Sequence, residues 1–252
     1  MTNPAPFKDH FSGVAKGYGA ARPSYPQALA DWLGEIAPRR GLALECGCGS
    51  GQLTRGLAKA FARVLATDAS AGQVEAAPAI ANVEWRVAPA EASGLEDGGA
   101  DLVVAAQAAH WFDLPRFYAE ARRVGAPGAI MALIAYGRFF VAPEIDGPVE
   151  AYYSGALGGH WPPERVHPEN GYRDFDFPFA RIAAPAFSLE ADWDLPRTLA
   201  YFDTWSATLA FKRAKGEDAT APFYEQVAIA WGDPARVRRF AWPVTVLAGG
   251  MA

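Results

Sequence analysis

Cysteine is nearly absent from this chain: two residues in 252, Cys46 and Cys48. They are too close in sequence for an ordinary structural disulfide, and two thiols alone do not make a zinc site. Neither a disulfide scaffold nor a bound metal is expected, and a reducing, cytoplasmic setting fits. Long apolar runs are missing too; nothing approaches the roughly 18 residues that a membrane span needs. The stretch Met1–His10 has no apolar run and carries Lys8 and Asp9, so no signal peptide is expected there. Positive charge is also scarce. The formal net charge is -5 and no Lys/Arg run exceeds two residues, which leaves no basic stripe to displace counterions from nucleic acid. What remains is ordinary globular material, half hydrophobic and a fifth charged, sufficient for one sizeable core.

The first half of the chain alternates in type. Ser24 precedes an amphipathic stretch over 25–36, with Leu29, Trp32, Leu33 and Ile36 at helical spacing and Pro38 ending it. Strands are expected over 42–44, 63–67, 82–88, 101–106 and 129–136. Helices are expected over 52–60, 70–77 and 114–124, with a turn at Ala126-Pro127-Gly128. This alternation implies right-handed crossovers and a parallel, doubly wound α/β sheet. After Tyr136 the rhythm changes. Residues 138–180 are rich in Pro, Gly and aromatics, and read as helices and long loops inserted after the fifth strand, a common form for functional lids. Two further strands are expected over 181–190 and 240–247, with helices over 196–211 and 222–231.

The chemistry gathers at Glu45-Cys46-Gly47-Cys48-Gly49-Ser50-Gly51, where the first strand runs into glycines before a helix. Such a turn lets a ligand approach backbone without side-chain obstruction. A dinucleotide fingerprint would place its third glycine at Gln52, and a Walker loop would follow the glycines with Lys-Ser/Thr; neither condition holds. A purely structural turn stays open at this point. Asp68, about twenty residues on at the end of the next strand, suits a ribose, because a carboxylate accepts hydrogen bonds from both hydroxyls. Alone it would serve as a helix cap shared with Ser70.

Leu44 to Gly51 resembles the first motif of class I S-adenosylmethionine-dependent methyltransferases. The resemblance implies a Rossmann-like fold with a mostly parallel seven-stranded sheet and S-adenosyl-L-methionine as cofactor. It implies that Gly47, Cys48, Gly49 and Gly51 pack on the methionine part and that Glu45 holds its ammonium group. Asp68 and Ala69 would meet the ribose. Ala88-Pro89-Ala90-Glu91 would read adenine, through the Ala90 amide and Glu91; the Asp that the family often carries is replaced by Pro89. Gln107-Ala108-Ala109-His110-Trp111-Phe112-Asp113 resembles the signature of the type 11 branch that includes trans-aconitate methyltransferase-like proteins. Tyr18, the Arg22-Pro23-Ser24-Tyr25-Pro26 stretch and Phe202 to Ala207 match that branch as well. On this reading 1–252 is one domain: an N-terminal cap (1–40), a cofactor-binding core (41–136), a substrate-side insertion (137–180) and C-terminal strands and helices (181–252).

Methyl transfer from a sulfonium needs no covalent nucleophile; alignment of acceptor and methyl contributes up to roughly 7–11 kcal/mol. His110 is the expected catalytic residue, as a base or as an orienting group. Trp111, Tyr136 and Arg138 are expected, with His110, on the substrate side. Tyr18, Arg22 and Gln107 are assigned to the cofactor, and Tyr25 to closing over it. Arg22, Arg138 and His160 are candidate partners for an anionic substrate. The expected activity is methyl transfer to a small molecule, with O-methylation of a carboxylate as the named candidate. The alternative is a non-catalytic module on the same fold. No nucleic acid or membrane partner is expected, and oligomeric state is not legible.

Overall fold

The structure, a computed structural model, describes residues 23–251; Tyr18 and Arg22 lie outside them. Strands β1 (Leu42–Cys46), β2 (Arg63–Asp68), β3 (Val83–Val87), β4 (Ala100–Ala106) and β5 (Gly125–Tyr136) pair in parallel. Helices α1 (Gln27–Ile36), α2 (Thr54–Ala60), α3 (Ala71–Glu75) and α4 (Leu114–Val124) precede or connect them. The insertion follows, with α5 (Pro143–Glu150), a wide π-type turn over Ala151–Ala156 and the short α6 (Val166–Glu169). The chain ends with β6 (Ala180–Ile182), β7 (Phe187–Trp193), α7 (Leu195–Asp203), α8 (Ser206–Lys215), α9 (Ala221–Trp231) and β8 (Arg238–Gly250).

The strand order is β3-β2-β1-β4-β5-β8-β6, with β7 also paired to β8. The pairs that β8 makes with β5, β6 and β7 are antiparallel. The sheet therefore has eight strands where seven were expected. The strand expected over 181–190 is two pieces, because Pro185 has no N–H to donate and the chain leaves the edge of β8 at 183–186. Long β8 takes both pieces along one edge, β6 at its far end and β7 at its start. The turn expected at 126–128 is a bulge inside β5, where register slips between Ala100 and Leu102 of β4. The helix expected over 196–211 breaks between α7 and α8, where Trp205 is extended.

Central strands covered on both faces are apolar almost throughout. Val64, Leu102, Ile130 and Ile134 cluster with Leu29 and Leu33 of α1 and Leu57 of α2. Leu44, Val103, Met131 and Leu133 cluster with Phe117 and Ala121 of α4. A third cluster is largely aromatic and joins the insertion to α7–α9 and the outer strands, through Phe139, Tyr152, Trp193, Phe202 and Trp242. The topology reverses between β1 and β4, so their carboxyl ends open a crevice, the usual ligand position in doubly wound sheets.

That crevice depends on how β1 is started. Asp101 at the head of β4 is 2% exposed, and its Oδ2 accepts from the Gly41 and Leu42 amides at 2.9 and 3.1 Å. Arg39 Nε donates to the other oxygen at 3.0 Å. Asp101→Ala leaves two amides unsatisfied and is expected to lower unfolding stability by about 2–5 kcal/mol. The check is a lower urea midpoint at unchanged slope; an unmoved midpoint would mean that water replaces the carboxylate.

Candidate active site

The glycine turn is shaped by packing on one side and by open space on the other. Gly47 has φ 69°, and a side-chain carbon there would stand 2.4 Å from the Ala108 Cβ. Gly49 has φ 54°, and the same carbon would find no atom nearer than 3.6 Å, so this glycine faces the cleft. Asp68 fixes the turn: its Oδ2 accepts from the Gly49 amide at 2.9 Å and its Oδ1 from the Ser70 amide at 2.8 Å. Ser70 is the cap of α3, its hydroxyl accepting from the Gln73 amide.

A cleft of about 780 Å³ runs along the carboxyl ends of β1 to β4. Glu45 sits at its floor, 1% exposed, with the Thr54 hydroxyl donating to Oε2 at 2.6 Å. Burial pushes its carboxyl up to about 8 despite the Thr54 bond, and Asp68 adds to the rise. Burial also lifts the Cys46 thiol to about 12 and raises Cys48, so both stay protonated as packing groups. Glu91 has a structural duty at the other end, where its Oε1 accepts from the Asp113 amide at 2.8 Å ahead of α4.

A smaller cavity of about 290 Å³ adjoins the cleft, and Gln107, His110, Trp111 and Tyr136 line both. Gln107 and Tyr172 are the two non-glycine residues with positive φ among those described, at 53° and 57°. Such a conformation is strained for either residue type and tends to occur where function demands it. Gln107 Nε2 donates to the Tyr136 carbonyl at 2.7 Å, while its Oε1 is buried with no donor. The fully buried Tyr172 places its hydroxyl 3.1 Å from His110 Nδ1. The phenol is the stronger donor of this pair, and with its proton directed at Nδ1 the imidazole hydrogen is assigned to Nε2. Burial first, then Arg165 and His167, pull His110 down to about 3, so the ring is neutral.

Against this geometry the comparisons are decisive. A family model described as a methyltransferase domain, of type 11, matches residues 44–133. A Dictyostelium discoideum protein named as a methyltransferase is 34% identical over 92% of this chain and 91% of its own length. The chain belongs to the class I S-adenosylmethionine-dependent methyltransferases. A solved structure named as a type II methyltransferase from Anaeromyxobacter dehalogenans is 48% identical, with a TM-score of 0.86 over 91% of this chain and 98% of that one. A malonyl-[acyl-carrier protein] O-methyltransferase of Hahella chejuensis is 36% identical over 46% of this chain and 47% of its length.

The methyltransferase cleft fits its cofactor on three observations. Gly49 leaves room beside the turn, and among the described residues no cation offsets the buried Glu45 carboxyl and no donor reaches Gln107 Oε1. S-adenosylmethionine brings an ammonium and a sulfonium to such groups. Of the residues named from sequence, Glu45, Gly47, Cys48, Gly49, Asp68, Ala69, Ala90, Glu91 and Gln107 line the large cleft. Gly51 lies behind the turn, where an added carbon would meet the Trp85 ring at 2.5 Å. Tyr25 lines the large cleft, and Arg138 lines the smaller cavity, ion-paired with Glu150. His160 lines neither cavity and stands against Phe211. Sequence reading passed over Arg165, which lines the smaller cavity from a Pro-Pro-Glu-Arg stretch without periodicity, and Tyr172, which reaches His110 across 62 positions.

Two outcomes are expected. In the ligand-free protein Glu45 holds its proton below about pH 8. An ammonium beside it favours the carboxylate, so cofactor binding releases a proton and affinity rises with pH up to about 8. Calorimetry in phosphate and in Tris reads the released proton as a difference in heat; equal heats and flat affinity would remove Glu45 from the ammonium. Asp68→Ala is expected to weaken S-adenosylhomocysteine binding by roughly 10- to 100-fold, far more than His110→Ala. Equal losses would mean that the ribose lies elsewhere.

Proposed function

We propose that this methyltransferase moves the methyl group to the carboxylate of a small-molecule acid, giving a methyl ester. The observation that carries the reading is the state of His110, neutral and drawn down to about 3, with Nδ1 held by Tyr172. Such an imidazole is a poor base. A phenol or an ammonium must lose a proton to react, whereas a carboxylic acid is already ionised at neutral pH. Bound S-adenosylmethionine supplies a sulfonium methyl: the new O–C bond forms as the C–S bond breaks, the electron pair goes to sulfur, and no proton moves.

The residues then have positioning work. His110 presents Nε2–H to the acceptor, Trp111 and Tyr136 wall the opening between the two cavities, and Gln107 stands at the junction. Glu45 with Gly47, Cys48 and Gly49 holds the methionine part; Asp68 and Ala69 hold the ribose. Ala90 and Glu91 flank adenine. Residues 137–180 form the substrate-side wall of a single-domain enzyme. The Hahella relative, named for O-methylation of a malonyl group, supports oxygen as the accepting atom. The scarcity of basic runs favours a small acceptor over nucleic acid. Among the described residues no helix is long and apolar enough to cross a membrane.

An assay of acids, phenols and amines with mass-spectrometric detection tests this directly. Methyl esters are expected from acids, with a rate at saturating cofactor that stays flat between about pH 6 and 8. His110→Ala is expected to slow turnover by roughly 10- to 100-fold, the scale of one lost hydrogen bond to a charged group. Faster methylation of a phenol or an amine would overturn the reading.

A further inference from the structure

The carboxylate reading leaves open what skeleton carries the acid, and the smaller cavity restricts that further. Its walls are flat and aromatic: Trp111, Phe139, Tyr153, Trp161, Tyr201 and Trp205 all line it. Several are locked against one another. Tyr153 and Trp161 lie 4.4 Å apart between ring centres, the Trp161 indole N–H donates to the Tyr153 carbonyl at 3.0 Å, and Trp205 stands 5.8 Å from Trp161. A volume of about 290 Å³ sits at the low end of ligand pockets, roughly 300–1,000 Å³, and suits one ring system.

The charges are counted as closely. Two arginines and two carboxylates line the cavity: Arg138, Arg165, Asp146 and Glu150. Arg138 is paired with Glu150, whose other oxygen accepts from the Ser154 hydroxyl. Asp146 Oδ1 accepts from the Val141 amide at 2.9 Å. Arg165 is held by Nε alone, which donates to the Tyr153 hydroxyl at 3.1 Å and to Glu169 at 3.2 Å. Its side chain is 25% exposed and its guanidinium lies 5.4 Å from the Trp161 ring centre. Nη1 and Nη2 donate to no other described residue. This is the outer edge of a guanidinium, the geometry that grips a carboxylate. Among the described residues it is also the single guanidinium Nη edge in the cavity not engaged by an acid, and Asp146 and Glu150 repel any second or third anion.

Resting on the carboxylate reading above, we propose that the acceptor is a planar aromatic monocarboxylic acid. One carboxylate oxygen takes the Nη hydrogens of Arg165. The other faces the opening shared with the cofactor cleft at Gln107, His110, Trp111 and Tyr136. The ring lies among Trp161, Tyr201 and Trp205. This departs from a polycarboxylate acceptor such as trans-aconitate, which would place two extra anions against an apolar wall and two acids.

The test uses the full chain with indole-3-acetate and trans-aconitate as probes. Binding is read by calorimetry in the presence of S-adenosylhomocysteine, and methyl esters by mass spectrometry with S-adenosylmethionine. Indole-3-acetate is expected to bind and to be esterified in preference to trans-aconitate. Arg165→Met is expected to weaken indole-3-acetate roughly 10- to 100-fold while leaving S-adenosylhomocysteine affinity unchanged, which also shows that the variant is folded; Arg165→Lys recovers part of the loss. Preference for trans-aconitate overturns the proposal and leaves the carboxylate reading standing, as does indole-3-acetate binding that is indifferent to Arg165→Met. If indole-3-acetate binds through Arg165 without esterification while a phenol or tryptamine is methylated, both fall together.

Discussion

Glu45 ends β1 almost wholly out of water, with Asp68 adding repulsion and a threonine hydroxyl as the hydrogen-bond donor to its carboxylate. A carboxyl in that position is unstable as an anion until a cation arrives, and the described residues provide none beside it. Much of the cleft follows from this one uncompensated burial. The turn after Glu45 must hold Gly49 clear of side chains, and Asp68 must tie the turn to β2. The strand order must place β1 beside β4, so that Gln107 faces the same space. On the reading proposed here a cationic cofactor supplies that partner, which would make its binding and the ionisation of Glu45 one event.

The acceptor side is arranged in the opposite sense. Arg165 presents a guanidinium edge that no acid engages, beside an imidazole which burial keeps neutral. The cofactor cleft buries a carboxyl, and the adjoining cavity presents the Nη edge of an arginine. Transfer of a methyl from sulfonium to carboxylate removes both charges, and a water-poor site favours a reaction that destroys charge. The strained backbones of Gln107 and Tyr172 hold the groups at this junction. Strain of this kind costs of order 1–3 kcal/mol at each residue and persists where surrounding packing enforces it.

Much of the cofactor half was legible in the sequence, because its signals are local. The glycine spacing excluded the dinucleotide and Walker loops without any structure, and the apolar runs of β1, β2, β4 and β5 gave the parallel sheet. The acceptor half was not. Arg165 differs from Arg173 or Arg181 by nothing in sequence; it matters because the insertion folds it across from His110. Tyr172 and Gln107 adopt conformations that their residue types do not advertise. The broken strand at 181–190 had its signal in Pro185, and an alternating apolar pattern masked it. Tertiary contacts decide such features, and a single sequence carries them weakly.

The central claim is that His110 acts as a neutral Nε2–H donor and that the acceptor needs no base. Nitrogen-15 NMR of His110 across pH tests it most directly, since the two ring nitrogens report tautomer and charge separately. The account predicts an Nε2–H imidazole that remains uncharged down to about pH 4, with Tyr172→Phe releasing the tautomer. A His110 that titrates near its ordinary value of about 6.5, or that carries its proton on Nδ1, would contradict the account and restore the histidine as a base.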